Sequence, residues 1–243
     1  MSKLDINFYN HKFLSQNNLI INLVDENYIL KLPNFQKKIE EMIFVRCWLE
    51  KLFKCGFEFV SFPKCVFNPE MINILFDNDK TIPLKFHTKK AILWTTDNTI
   101  ENVLKFSLNH LSISELLEIN FGDTNITEYT NILLNILINE GNKFPKIEFI
   151  NSKLIQLYDL FIEYIATSKN CSKIVPAITF VFPTAPNFKL SERAEKVEIE
   201  QLNDKKITKY QIGNIHNPDI RFSFCNKVYD GSFTHVNIEK IQE

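Results

Sequence analysis

A chain of 243 residues that is 45% hydrophobic and 23% charged can bury one sizeable core, or a main domain with an appendage, and lacks the composition of a disordered protein. Its formal net charge of −1 sets up no overall field to draw in nucleic acid or anionic lipid. The 22 Phe promise a large buried aromatic area, while only 5 Gly leave few places for backbone to wrap a phosphate, which counts against a nucleotide-binding fold.

Residues 1–8 show no basic run followed by an apolar core, and no later stretch approaches the apolar length of a membrane span. The expectation is a cytoplasmic or nuclear protein with no membrane partner. Residues 1–33, with an apolar run at 19–24, form an N-terminal segment to which the pattern assigns little. Residues 34–55 read as a helix with Ile39, Met42, Ile43, Cys47, Trp48, Leu49 and Leu52 inward.

From there the chain repeats. Five apolar or alternating runs read as strands: residues 57–62 (FEFVSF), 91–94 (AILW), 117–121 (LEINF), 147–150 (IEFI) and 178–182 (ITFVF). Their ends, at 62, 94, 121, 150 and 182, are separated by 32, 27, 29 and 32 residues. Helical patterns fill the gaps. Asn68-Pro69 opens one, with Pro at a first turn where its missing N–H costs nothing. Asn98 and Asn125, each with Glu three residues on, resemble capping boxes and lie four residues beyond a strand end. The helix from Asn125 puts Ile126, Tyr129, Leu133, Ile136 and Leu137 on one stripe and reaches Gly141 as its stop. Another, from about Ser152, offers Leu154, Leu157, Leu160, Phe161, Tyr164 and Ile165.

Strands separated by such helices imply right-handed crossovers and a parallel sheet. A period near 30 fits either a curved leucine-rich-repeat-like solenoid or a flatter doubly wound sheet; the absence of a Gly-rich first loop favours the solenoid. The expected fold is therefore an α/β solenoid of βα repeats over residues 34–183, capped by the helix at its start. Residues 184–243 are expected to form a small antiparallel region. There, strand-like runs at 196–201, 206–213 and 221–225 are followed by Asp230-Gly231, a hairpin signal between Val228-Tyr229 and Phe233.

Little in the sequence carries chemistry. Phosphate-loop, nucleophile-elbow and zinc-protease motifs are all missing. Cys47, Cys55, Cys65, Cys171 and Cys225 have no paired spacing and read as reduced thiols. A metal cluster of His216, Cys225 and His235 is outweighed by the ordinary structural use of lone His and Cys. The pairs Lys37-Lys38, Lys89-Lys90 and Lys205-Lys206 are isolated, so no nucleic-acid partner is expected. Neither cofactor nor metal is expected, and the chain reads as a binder rather than an enzyme. With Phe57, Phe59, Leu117, Ile119, Phe121, Ile147 and Phe149 as core, the outward strand positions are Glu58, Glu118, Asn120 and Glu148, with Thr179 by analogy. Carboxylates in register across strands would form an acidic stripe able to hold Lys or Arg of a partner.

One resemblance adds to this. The stretch Arg46-Cys-Trp-Leu-Glu-Lys-Leu-Phe53, the run FNPEMINILFDNDKTIPL from Phe67 to Leu84, Lys105-Phe-Ser-Leu-Asn-His-Leu111 and Ile220-Arg-Phe-Ser-Phe224 resemble the nematode F-box-associated proteins, from about residue 30 to the end. In that family an N-terminal F-box docks to the Skp adaptor of a cullin-based ubiquitin ligase, and the remainder selects substrates. The resemblance thus implies a protein-binding module of the substrate-recognition kind, with a protein substrate as partner. Residues 1–30 carry no Leu-Pro-x-Glu-Leu-type pattern, and Leu32-Pro33-Asn34 is only a fragment of one, which leaves docking to a Skp-type adaptor without a sequence basis. A stand-alone structural or decoy binder is the alternative, and an unrecognised enzyme comes third.

Overall fold

The computed structural model describes residues 18–23, 26–31, 39–62, 67–76, 81–184, 186, 189–203, 205–229 and 233–241, with backbone alone for 18–31 and Glu41. The expectations at residues 1–17, at Leu32-Pro33-Asn34, at Lys37-Lys38, at Cys65 and at the Asp230-Gly231 turn lie outside the described residues. The chain divides into two compact units, residues 1–112 and 113–243.

In the first unit, β1 (Asn18–Leu23) and β2 (Glu26–Lys31) form an antiparallel hairpin, and β1 pairs antiparallel with β3 (Gly56–Phe62). β3 runs parallel to β4 (Phe86–Trp94). Three helices accompany them: α1 (Ile39–Phe53), α2 (Pro69–Phe76) and α3 (Ile100–His110). Asn68 accepts the Glu70 N–H at 2.9 Å, so Pro69 does open a capped helix. α3 begins later than the Asn98 pattern suggests. Its N-cap is Thr99, which makes no side-chain capping bond; the Thr99 hydroxyl accepts the Thr96 N–H at 2.9 Å instead.

Phe explains this core. Phe53 and Phe86 meet edge to face at 5.0 Å, Phe62 and Phe106 at 5.1 Å, and Phe67 stacks on Phe86 at 5.9 Å. α1 buries Leu49 and Leu52, as the pattern suggests, together with Val45 and Phe53, but Ile39 is 74% exposed, and Ile43 and Cys47 are exposed as well. In β4 the buried positions change parity, from Phe86 and Thr88 to Ala91 and Leu93, with Lys89 and Lys90 both exposed between them. The Thr88 hydroxyl donates to the Lys90 carbonyl at 2.8 Å across this irregularity.

His110, at the end of α3, is buried, and its Nδ1–H donates to the Leu84 carbonyl at 2.8 Å. Burial, ahead of nearby Lys85, holds the imidazole below its usual value of 6.5. A group neutral in the fold but protonated in the unfolded chain stabilises fully above that value and loses this contribution as pH falls below it. The urea midpoint should therefore drop between pH 7.5 and 5.5, and His110→Gln should flatten the drop; equal slopes for the two proteins would contradict the assignment.

In the second unit β5 (Leu111–Asn120), β6 (Lys146–Ile150) and β7 (Ala177–Phe182) are parallel, joined by α4 (Thr130–Asn139) and α5 (Ile155–Thr167). β7 then pairs antiparallel with β11 (Phe233–Lys240). The sheet continues antiparallel through β10 (Arg221–Tyr229), β9 (Lys205–Gly213) and β8 (Glu195–Leu202). α4 and α5 pack against each other over the face bearing Leu117, Ile119, Ile147, Phe149, Ile178 and Phe180. On that face Tyr158 of α5 meets Phe180 edge to face at 5.8 Å, and its hydroxyl lies 2.9 Å from that of Tyr210.

The leucine-rich-repeat-like solenoid is thereby corrected. A solenoid would continue one parallel stack, whereas each unit extends its parallel strands with antiparallel ones, β1–β2 in the first and β8–β11 in the second. The residues form mixed sheets. Spacings of 27 to 32 reflect what any parallel crossover through a helix requires and do not encode curvature. Among smaller differences, Leu160 is exposed on α5. The helix after Asn125 begins at Thr130, behind a 3-10 turn at Thr127–Tyr129 whose Thr127 hydroxyl donates to the Asn125 side chain at 2.9 Å.

Candidate functional site

The face of the second unit's sheet opposite α4 and α5 carries the site. Directly paired residues share a face, so the register places Glu118 beside Glu148, Glu148 beside Thr179, and Thr179 beside Asn237. Beyond Asn237 the same row passes through Cys225 and Lys209 to Glu198. The Thr179 hydroxyl donates to Asn237 Oδ1 at 2.9 Å, and Asn237 Nδ2 donates to Glu239 Oε1 at 2.7 Å. Polar side chains from two neighbouring strands, β7 and β11, thus run on from the two carboxylates.

Glu118 and Glu148 are half-buried, and among the described residues neither has a salt-bridge partner. Burial pushes both carboxyls above the usual carboxylate range; the Glu148 charge adds to this for Glu118, and Lys146, two residues before Glu148 on the same face, offsets part of it for Glu148. The cost of holding two adjacent anions is fully present above the raised pKa values and is relieved as pH falls through them toward the ordinary 4.5. Like charges directly opposite on neighbouring strands are destabilising. Glu118→Gln should therefore raise the melting temperature at pH 7.5, with the gain fading near pH 4.5. A loss of stability at pH 7.5 would mean that Glu118 has a favourable partner in the fold.

The residues expected to face outward separate into four situations. Glu118 and Glu148 stand side by side on the helix-free face. Asn120 lies on the same face, but its Oδ1 accepts the Gly122 N–H at 2.9 Å, where Gly122 at φ +52 turns the chain, so its side chain serves a turn. Thr179 shares the row yet is buried and bonded to Asn237. Glu58 belongs to the first unit, where it forms an exposed cross-strand ion pair with Lys89 at 2.8 Å. The sequence reading missed Asn237 and Glu239, because antiparallel pairing of β11 with β7 brings together residues 58 positions apart.

The described residues include no group of three His, Cys, Asp or Glu side chains arranged to hold a metal. No described helix is long and apolar enough to cross a membrane.

Fold and site together define an α/β protein of mixed strand order, with a half-buried carboxylate pair on the face of its second unit's sheet opposite α4 and α5. Over residues 2–122 the chain is similar to a family described as a domain of unknown function, DUF8381; that span takes in the first unit and β5, including Glu118 and Asn120, and ends before Glu148. No curated protein matches the chain.

Proposed function

We propose that the chain is a non-enzymatic protein-interaction module of the substrate-recognition kind, with the helix-free face of the second unit's sheet as its recognition surface. The observation that carries this reading is the Glu118–Glu148 pair. Two neighbouring carboxylates, half-buried and without a salt-bridge partner among the described residues, form an electrostatic arrangement that a Lys or Arg of a bound protein would complete. Such a contact is a charge-assisted hydrogen bond in a partly desolvated setting, stronger than the same pair in open water. The resemblance to F-box-associated proteins supports the same class of role and makes the bound protein a ligase substrate. A stand-alone binder with no ligase link is the second reading.

Proximity labelling in nematode tissue with the wild-type chain and with Glu118→Gln/Glu148→Gln tests the surface. The proposal expects a set of proteins enriched by the wild type and lost with the variant. Identical sets would overturn the assignment of this face. Pull-down of the Skp adaptor separates the two readings: capture supports the ligase role, and failure to capture supports the stand-alone binder.

A further inference from the structure

A second surface lies at the margin of the same sheet. β8 is hydrogen-bonded to β9 along one side, and no strand among the described residues pairs with its other side. An unpaired strand side presents a row of N–H and C=O groups, which folds usually blunt with proline, charged side chains, bulges or a covering element. β8 contains no proline. Its one irregularity is at the start, where Lys196 and Val197 both face Tyr210 between the pairs Glu195–Gln211 and Glu198–Lys209, with Lys196 at φ 52. From Glu198 to Leu202 the pairing is regular and all five residues are exposed.

The side chains of this regular part alternate. Glu198 and Glu200 pair with Lys209 and Ile207 and so share the helix-free face. Ile199 pairs with Thr208 on the opposite face, the one that also bears Tyr210, and is 61% exposed. Acid on one face and an exposed isoleucine on the other, on a strand with one free side, is the pattern of a strand-addition surface. Charge then selects the occupant. A second copy docking antiparallel about a two-fold axis at Glu198, Ile199 or Glu200 would set Glu198 against Glu198, Glu198 against Glu200, or Glu200 against Glu200. Like charges facing one another across strands repel. A basic strand replaces each repulsion with attraction. The Lys209–Glu200 pair at 3.1 Å does not oppose this, since it is solvent-exposed and exchanges readily with a second cation.

We propose that β8 accepts an extended segment of a partner protein that alternates Lys or Arg with apolar residues, its basic side chains over Glu198 and Glu200 and its apolar ones over Ile199. The probe is a blocked eight-residue peptide of alternating Lys and Val, with a Glu–Val peptide as control, titrated against the full chain by fluorescence anisotropy and hydrogen exchange. The Lys–Val peptide should bind at least tenfold more tightly than the control and slow exchange across residues 195–202. Glu198→Lys/Glu200→Lys, two exposed substitutions checked for folding by circular dichroism, should reverse that preference. Glu118→Gln/Glu148→Gln should leave peptide binding unchanged, which separates this edge from the carboxylate row. Equal binding of the two peptides, absence of protection at 195–202, or loss of binding in the Glu118/Glu148 variant would each overturn the proposal. So would self-association of the free chain that protects 195–202.

Discussion

Asn214→Leu should cost the second unit about 2–4 kcal/mol, the range for removing a buried side chain that satisfies several backbone groups at once. Asn214 is 3% exposed, and its Nδ2 donates to the carbonyls of Ile165 and Ser168, both at 2.8 Å. Its Oδ1 accepts the N–H groups of His216 and Asn217, each at 2.9 Å. The two carbonyls lie at the end of α5, where the last turn has no helical donors of its own. Ile215 N–H serves a third, that of Ala166, at 2.9 Å. One side chain thus ties the end of α5 to the loop between β9 and β10. Leucine keeps the branched shape, though bulkier, and leaves both carbonyls without their donor in a largely buried site. The His216 and Asn217 amides, in an exposed loop, can turn to water, so the carbonyls dominate the loss. Urea unfolding at pH 7 measures it. Asn214→Asp should be at least as damaging, since it keeps the acceptor and points a negative oxygen at the two carbonyls. An unchanged urea midpoint for both variants would contradict this role for Asn214.

Gly141→Ala should cost about 1–3 kcal/mol or more, because overfilling a rigid contact forces backbone to move. A Cβ at residue 141 would overlap the backbone nitrogen of Val175 and come within 2.7 Å of its Cα and 2.9 Å of its Cβ. The neighbour is main chain held in place, since Val175 N–H donates to the Leu137 carbonyl at 2.9 Å and Asn142 N–H to the Lys173 carbonyl at 3.1 Å. No side-chain rotation relieves it. Calorimetry of Gly141→Ala should show a clear fall in melting temperature, and Gly122→Ala offers a contrast. Gly122 has open space around it but a φ of +52, so its cost is strain alone. A Gly141→Ala protein as stable as the wild type would show that the loop at 173–175 yields freely.

Gly141 also shows how a correct landmark can have another cause. The helical stripe ends at Gly141, and the sequence reading takes the glycine for a C′ stop. In the structure it begins a 3-10 turn at Gly141–Lys143 and is glycine because the chain at Val175 passes against it. That approach involves residues 34 positions away and leaves no local trace. α1 is similar. Periodicity announces the helix, but Ile39 and Ile43 on one flank and Val45 and Leu49 on another fit helical spacing equally well, and only packing against the first unit's other elements selects the buried set. The alternation in β5 and β6 leaves no such choice. Leu117, Ile119, Ile147 and Phe149 are buried, and Glu118 and Glu148 lie opposite them, because a period of two allows one assignment of faces.

Local pattern by itself therefore determined that strands and helices alternate through the middle of the chain, that hairpins follow, that Phe fills the core and that Glu118 and Glu148 share a face. Those features depend on side-chain period, turn residues and composition, which act over a few neighbours. Tertiary structure alone decided that the strands join mixed sheets and that Thr179 is buried against Asn237. It also decided that Glu58 is engaged with Lys89 and that β8 has one side without a strand. Each of these depends on which distant segment pairs with which, and strand pairing is a choice among many hydrogen-bonding partners that no single segment encodes.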